Sequence, residues 1–526
     1  MVYLFIMPFE AQFIMIISLN GLNWKYRCDA DQQGEHENWH DPVFIKKNWD
    51  AFPSVELPCC WNSISEEEQL PYDRYVGYFW FFHQFTLNKI EDGKNYYIKF
   101  NGINYHSKVW INGAYLGDHH GGFLPFKLKI PTKILEKNNV IAVEVENFRE
   151  FSRLPSLHFD WYNWGGIYRD IDLIIVPKAR IQWVHIITKQ ISPNSATLIV
   201  NYKLTNKGQI KWKIKLGSSI IIDGTAEAQQ KSGEFRLNIS NPNLWSPDSP
   251  NLYEFEAKLN DKGEEFKTKF GIRTIEVSKS GILINNKLIK IKGVSQHEEL
   301  MPYGRGIKKE DRLNDLKNMK KIGFNTLRTA HYSHDEKLIE LADEIGILIL
   351  EEIPVYWTSD FKNPEVLKLG LRMIKDLIFR DFNHPSVIVW SVGNEVPIEH
   401  RACYQFMHQL MQFAKKLDPS RIITFVSSRF TSDTLRPKSD LPCLNIYFGW
   451  YYFSERNLNI LLDFIHETAP SLPLLITEFG GGAKYGFHSS KFERFSEEKQ
   501  ASLITHSIET FNSKDYIAGW IIWIYR

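Results

Sequence analysis

Two glutamates stand directly after apolar runs of the sequence and could perform acid–base or nucleophilic chemistry as a pair. Glu395 follows SVIVWSVGN, and Glu478 follows LPLLIT. An ionisable group placed directly after a buried strand is costly unless it serves a site. Two carboxylates that face one ligand suit the cleavage of a glycosidic bond: one protonates the leaving oxygen, and the other attacks the anomeric carbon or activates a water molecule that does so.

Polar residues near these glutamates sharpen the two roles. Asn394 could hydrogen-bond a sugar 2-hydroxyl, an interaction that strengthens in an oxocarbenium-like transition state. Tyr447 and Arg328 could keep Glu478 ionised, as a hydroxyl donor and a cation. Glu395 would suit a general acid if poor solvation raises its pKa. Either glutamate alone could be a salt-bridge partner or a helix cap, but the whole set favours catalysis.

Histidine and tryptophan residues complete the list of candidates. His297 and His331 could bind substrate, lie in the core or ligate a metal. Neither belongs to an H-x-x-x-H or H-x-H pairing, so substrate hydrogen bonding is preferred and no metal or other cofactor is expected. Trp357, Trp450 and Trp523 could stack on a pyranose ring at the barrel mouth, although plain packing explains them equally well.

The candidates lie at the ends of strand-like runs that alternate with amphipathic, helix-like runs. One helix is predicted over 311–323, where apolar residues recur close to every 3.6 positions before a glycine. Eight strands with such crossovers predict a (β/α)₈ TIM barrel, whose chemistry sits at the carboxyl ends of its strands. In a barrel, strands 4 and 7 would place the two glutamates on opposite sides of one mouth. The predicted strands are 288–293, 323–328, 346–351, 386–392, 421–427, 442–448, 472–477 and 517–524.

The residues before the barrel consist of short strand-like segments separated by Asn, Gly and Asp turns. This pattern predicts a multidomain β and α/β protein: a jelly-roll sandwich over 1–177, a second sandwich over 178–275 and the barrel over 276–526. Residues 1–18 are predicted to be an extension or an edge strand. A secretory signal is not favoured, because Pro8, Glu10 and Gln12 interrupt the apolar run and no basic residue precedes it.

Composition excludes several classes of protein. The 526 residues carry 63 basic and 62 acidic side chains, so no global field gathers nucleic acid or anionic lipid. No stretch reaches about 18 uninterrupted apolar residues, so no membrane-spanning helix is expected. The five cysteines form no C-x-x-C pair, which favours a reducing cytoplasm over a disulfide framework. Aromatic residues make up 14%, with 16 Trp, as in large cores, dimer interfaces and sugar-binding clefts.

Two long segments carry a family resemblance. RDFNHPSVIVWSVGNE (380–395) resembles the acid/base segment of glycoside hydrolase family 2, and GFNTLRTAHYSHDEKLIELADEIGILILEE (323–352) resembles another hallmark segment of that family. The resemblance runs from about residue 19 to the end. It implies a jelly-roll sugar-binding domain, an immunoglobulin-like sandwich and a barrel. It also implies double-displacement hydrolysis with retention, with Glu395 as acid/base and Glu478 as nucleophile.

Within the family, the likeness is greatest to enzymes that act on β-glucuronides. LNIYFGWY (444–451) and ITEFGGGAKYGFH (476–488) resemble their strand-6 and nucleophile segments. FDWYNWGGIYR (159–169) resembles a first-domain loop that reaches the active site, which makes Asp160 a candidate substrate contact. A galactoside or mannoside as substrate, or an impaired carbohydrate-binding fragment, remain the alternatives.

The resemblance also carries expectations about the end of the chain and its assembly. Similar enzymes have an Asn-x-Lys element after strand 8 that binds the glucuronate carboxylate, whereas this sequence stops at Arg526. The barrel is therefore expected to lack its last helix, either because the sequence is a fragment of a longer protein or because it is a truncated product with lower activity. The family often forms dimers or tetramers, so a homo-oligomer is possible.

Overall fold

The first strand-rich part of the chain folds into two facing antiparallel sheets. The computed structural model describes residues 15–64, 71–260 and 265–526. Strands β1 to β12 form a four-stranded sheet of order β1-β12-β5-β9, a six-stranded sheet of order β3-β2-β4-β10-β7-β8 and the short pair β6–β11. The strands are β1 Met15–Ser18, β2 Gly21–Cys28, β3 Ser54–Leu57, β4 Tyr78–Thr86, β5 Lys94–Phe100, β6 Ile103–Asn104, β7 His106–Ile111, β8 Ala114–His120, β9 Phe126–Ile130, β10 Asn138–Glu146, β11 Gly166–Ile167 and β12 Ile171–Pro177, and helix α1 spans Pro42–Asn48.

This sandwich confirms the predicted jelly-roll architecture. It forms because apolar residues alternate with polar ones along its strands. In β5, Tyr96, Ile98 and Phe100 are fully buried between the sheets, while the residues between them are partly exposed. Met15–Ser18 pair with β12 at a sheet edge, as one of the two interpretations of the N-terminal segment predicts. Residues 1–14, the rest of that segment, lie outside the described residues.

A second, smaller sandwich follows and confirms the immunoglobulin-like prediction. Sheets of order β13-β14-β17 and β16-β15-β20-β21 face each other across a shared apolar core. Its strands, with a short hairpin β18–β19, are β13 Ile181–Ser192, β14 Ser195–Leu204, β15 Gly208–Leu216, β16 Ser219–Ala228, β17 Ser232–Ser240, β18 Trp245–Ser246, β19 Ser249–Pro250, β20 Tyr253–Leu259 and β21 Glu265–Phe270.

Eight parallel strands then close into the predicted barrel, because β32 pairs with both β31 and β25. A three-stranded sheet precedes it: β22 Ile275–Ser278, β23 Gly281–Ile284 and β24 Lys287–Ile289. The barrel strands are β25 Ile291–Gln296, β26 Thr326–Thr329, β27 Leu348–Glu352, β28 Val387–Asn394, β29 Ile422–Ser427, β30 Cys443–Asn445, β31 Leu474–Glu478 and β32 Ile517–Ile522. The helices are α2 Lys309–Lys321, α3 Glu336–Ile345, α4 Pro364–Asp381, α5 Arg401–Leu417, α6 Leu458–His466 and α7 Glu497–Asn512.

The first barrel strand differs from its prediction. The run 288–293 contains the end of β24 and the start of β25, which belong to different sheets. The break falls at Lys290, whose carbonyl accepts a bond from the Asn325 side chain instead of a neighbouring strand. Alternating apolar residues continue across the break, so the sequence pattern does not reveal it. The sequence ends four residues after β32, and no described helix has the length and apolar character needed to cross a membrane.

Candidate active site

The barrel places Glu395 and Glu478 at its carboxyl-terminal mouth, on β28 and β31. Glu478 is the last residue of β31, and Glu395 directly follows β28 with a left-handed backbone, φ 54°. Such a conformation is uncommon for a residue other than glycine and is often found at functional sites. The Glu395 amide still donates to the Val426 carbonyl of β29 at 2.8 Å, which anchors the turn.

Glu478 accepts hydrogen bonds on both of its carboxylate oxygens. Its carboxylate is buried, with 5% of the residue exposed. Arg328 Nη1 donates to Oε1 at 2.6 Å, and the Tyr447 hydroxyl donates to Oε2 at 2.7 Å. His331 Nε2 lies 3.9 Å from Oε1. A guanidinium and a phenol that bond opposite oxygens stabilise the ionised form of this carboxyl group.

Arg328 also connects three strand ends. Its Nη2 donates to both carboxylate oxygens of Glu352 at 3.1 and 3.2 Å, and to Asn394 Oδ1 at 2.8 Å. Burial, the largest single effect, raises the pKa of Glu352, but the Arg328 guanidinium together with His331 and the Ser391 hydroxyl outweighs it and lowers that pKa to about 2. Glu351, its neighbour, faces away and pairs with Arg380 at 3.0 Å. Glu352 therefore belongs to the site and Glu351 to the surrounding barrel.

Glu395 has a different environment. Asn445 Nδ2 donates to its Oε1 at 2.9 Å, and Trp357 Nε1 donates to its Oε2 at 3.1 Å. Both donors are neutral. Burial, and secondly the charge of Glu478, raise the pKa of Glu395 above its usual value. The two glutamates thus share one mouth but differ in their hydrogen-bond donors, which are a cation and a phenol for Glu478 and two neutral groups for Glu395.

An aromatic wall borders the carboxylates. Trp523 stacks on His331 with ring centroids 5.0 Å apart and also contacts His297 edge-on at 5.4 Å. Trp161, from the first sandwich, lies 5.8 Å from the His331 ring and 5.0 Å from that of Tyr356. Burial, followed by the charge of His331, lowers the pKa of His297 well below its usual value, so its imidazole stays neutral.

The loop of the first sandwich reaches the barrel, as the sequence predicts. Asp160 is exposed and accepts a hydrogen bond of 2.7 Å from the Tyr356 hydroxyl. The Trp450 ring contacts Phe495 edge-on at 5.1 Å, and the Arg494 guanidinium lies 4.6 Å from its centroid. These contacts place Trp450 against the loop that follows Glu478.

Sequence reasoning missed several residues of this site. Asn445 ends β30 and was recognised as a polar residue at a strand end, but no role was predicted for it. Trp161 adjoins Asp160 and could have been taken with it. Tyr356 lies in the loop after β27, where no spacing rule indicates that it turns inward. Trp357, its neighbour, was expected at the barrel mouth, but its bond to Glu395 was not predicted.

Comparison with known proteins agrees with the fold. Residues 275–525 match the family described as "Glycosyl hydrolases family 2, TIM barrel domain", 179–273 match "Glycosyl hydrolases family 2", and 16–177 match the "sugar binding domain" of the same family. The chain belongs to glycosyl hydrolase family 2 and is a β-glycosidase. This assignment confirms the resemblance noted in the sequence.

The similar proteins carry a narrower name. The chain is 27% identical over 558 residues to a β-glucuronidase of Paenibacillus borealis, covering 97% of this chain and 90% of that protein. It is 28% identical to the β-glucuronidase of Sus scrofa, covering 96% and 84%. Among solved structures, a β-D-glucuronidase of Dictyoglomus thermophilum superposes with a TM-score of 0.87 at 28% identity, over 99% of this chain and 92% of that one. An uncultured Clostridium sp. β-glucuronidase gives 0.89 at 27%, with the same coverage.

Proposed function

We propose that this protein is a retaining, exo-acting β-glycosidase that releases terminal β-D-glucuronic acid by double displacement. The observation that carries the proposal is the contrast between the two glutamates. Glu478 accepts bonds from a cation and a phenol. Among the described residues, the donors to Glu395 are the neutral Asn445 and Trp357. These donors suit the Glu478 carboxylate to act as the nucleophile and the Glu395 carboxyl group to act as the acid.

In the first step, Glu478 attacks the anomeric carbon while Glu395 gives its proton to the glycosidic oxygen. The bond between that oxygen and the carbon breaks, the aglycone leaves as an alcohol, and a glycosyl ester forms on Glu478. In the second step, Glu395, now a carboxylate, takes a proton from water as the water attacks the same carbon. The ester breaks, and the released sugar keeps its original anomeric configuration.

The surrounding residues are proposed as substrate contacts. Asn394 Oδ1 accepts bonds from Arg328 and Asn445, so its Nδ2 group is oriented to donate to the sugar 2-hydroxyl. The wall formed by His297, His331, Trp161 and Trp523 would hold the sugar ring, and Asp160 would reach the substrate from the first sandwich. The assignment of glucuronide as the sugar rests on the names of the similar proteins.

A substitution of the nucleophile tests the mechanism. We expect Glu478→Ala to abolish turnover of an activated aryl glucuronide. Added azide should rescue it and give the glycosyl azide of inverted configuration, because azide enters from the face that the carboxylate vacated. Glu276→Ala is the matched control, since Glu276 is exposed on β22, outside the barrel mouth. Full activity of Glu478→Ala would contradict the nucleophile assignment.

A separate assay tests the sugar. The wild-type chain would be given aryl β-glucuronide, β-galactoside and β-mannoside in parallel, and the proposal expects the highest kcat/KM for the glucuronide. Preference for either neutral sugar would overturn the substrate assignment and leave the mechanism in place. Binding of all three without hydrolysis would instead indicate a carbohydrate-binding protein.

A further inference from the structure

A cluster of two histidines and an aspartate lies on the first sandwich, apart from the barrel mouth. His106 on β7 is the cross-strand partner of His120 on β8, and Asp118 lies two residues before His120. Because residues two apart in a strand point to the same face, the three side chains share one face of the hairpin. One nitrogen from each histidine and one oxygen of the aspartate all lie within 4.8 Å of one another.

We propose that this cluster is a binding site for a divalent transition-metal ion, with zinc as the best fit. Asp118 Oδ2 lies 3.6 Å from His106 Nε2 and 3.6 Å from His120 Nε2. In a tetrahedral zinc site with bonds of about 2.0–2.1 Å, neighbouring ligand atoms are about 3.4 Å apart. Imidazole nitrogens with one carboxylate oxygen are donors that zinc accepts, and a water molecule would complete the coordination.

The neighbours of the cluster support this use. The Tyr115 hydroxyl donates to Asp118 Oδ1 at 3.0 Å, which leaves Oδ2 directed at the imidazoles. Glu146 Oε1 lies 3.6 Å from His106 Nδ1, the position of the outer carboxylate that commonly orients a metal-binding histidine. Lys108, two residues after His106 on β7, is engaged by Glu35 and Glu144, so its charge is compensated.

The cluster is open enough to load. About half of each of the Asp118 and His120 side chains is exposed, and 15% of His106 is. The two imidazoles are stacked, with centroids 4.0 Å apart and planes at 16°. Rotation about their Cβ–Cγ bonds would direct both Nε2 lone pairs at one ion, and the half-exposed ring of His120 has room for that movement.

A bound ion would join the edge strand β8 to β7 at the junction with the barrel. Arg372 of α4 donates to the His120 carbonyl, so the site lies directly against a barrel helix. An ion that binds the native but not the unfolded chain stabilises the native state by mass action. Zinc is therefore expected to raise the melting temperature of the protein.

Cobalt(II) is a direct probe, because its visible absorption reports coordination by imidazole and carboxylate. The wild-type chain should bind one equivalent of Co²⁺ with intense bands, and Zn²⁺ should displace it. Asp118→Asn and His120→Gln should each lose that equivalent and the zinc-dependent rise in melting temperature. His400→Gln, at another exposed histidine, and Glu336→Gln, in the acidic group beside Asp381 and His384, should retain both.

Unchanged bands in the Asp118 and His120 variants would overturn the proposal, and so would a wild-type chain that takes up no Co²⁺ at about millimolar concentration. A second measurement needs no variant and covers the case in which one misfolds. Zinc should protect His106 and His120, but not His400, from acylation by diethyl pyrocarbonate, as mapped by mass spectrometry. If the extent of acylation of His106 and His120 is the same with and without zinc, the proposed site would also be contradicted.

Discussion

At the scale of single residues, the environment of each glutamate decides what it can do. Glu478 and Glu395 are the same residue type at the carboxyl ends of two barrel strands, the first as the last residue of β31 and the second directly after β28. Arg328 and Tyr447 stabilise negative charge on Glu478. Burial disfavours negative charge on Glu395. Donors that are already in place when charge changes cost no reorganisation during the reaction, which is why such arrangements are effective in catalysis.

The Tyr447 hydroxyl can be removed with little other change. Tyr447→Phe deletes the donor to Glu478 Oε2, and we expect kcat/KM to fall about 10²-fold, the usual cost of one active-site donor. Tyr451→Phe is the matched control, because its ring contacts Tyr447 edge-on at 5.2 Å but two thirds of the residue is exposed. Initial rates on an aryl glycoside measure both. Equal rates in the two variants would show that the hydroxyl does not act on the nucleophile.

Trp357 gives a prediction about pH. Its indole donates to Glu395 and favours the charged form, so Trp357→Phe should raise the pKa of Glu395 further above its usual value. The general acid must be protonated, and the alkaline limb of the kcat/KM profile should therefore move to higher pH. Trp49→Phe, on the first sandwich, should leave the profile unchanged. A limb that stays in place or moves to lower pH would contradict Glu395 as the acid.

At the scale of elements, the barrel explains which site residues could be predicted from sequence. Arg328, Asn394 and Glu478 were found because they end or adjoin apolar runs, and parallel strands bring all such ends to one mouth. Trp161 and Tyr356 were not, because each enters through a loop whose direction depends on packing between two domains. The catalytic roles, the domain boundaries and the oligomeric state remain predictions.

Closure of the barrel depends on one glycine. Gly519 of β32 pairs with Ile291 of β25, and a Cβ at this position would lie 2.3 Å from the Ile291 carbonyl oxygen. Gly519→Ala must therefore separate the first and last strands, and we expect a loss of about 1–3 kcal/mol in stability. Gly93→Ala is the control, since no other part of the described chain comes within 4 Å of its added methyl. Thermal melting compares the two, and equal melting temperatures would contradict the importance of this contact.

At the scale of the whole molecule, the first sandwich is part of the site. It supplies Asp160 and Trp161 to the barrel mouth. Arg169 of the same sandwich also enters the barrel. Its Nη2 donates hydrogen bonds to Glu298 at 2.5 Å and to the Ser333 carbonyl at 2.8 Å. Because Ser333 lies two residues after His331, the contact that joins the domains also holds the loop that carries a site residue.

This contact between the domains predicts a large loss of stability when its buried ion pair is broken. Breaking a more exposed ion pair nearby should cause only a small loss. Arg169→Met leaves Glu298 buried with Arg312 as its remaining cationic partner, at 2.8 Å. Removing one member of a buried pair commonly costs about 3–5 kcal/mol, because the other charge stays away from water. Lys337→Met breaks the more exposed pair with Asp170 and should cost less than about 1 kcal/mol. Urea unfolding followed by tryptophan fluorescence measures both losses. If the two losses of stability are equal, the Arg169–Glu298 pair does not stabilise the contact between the domains. The aromatic contacts of Trp161 must then stabilise it.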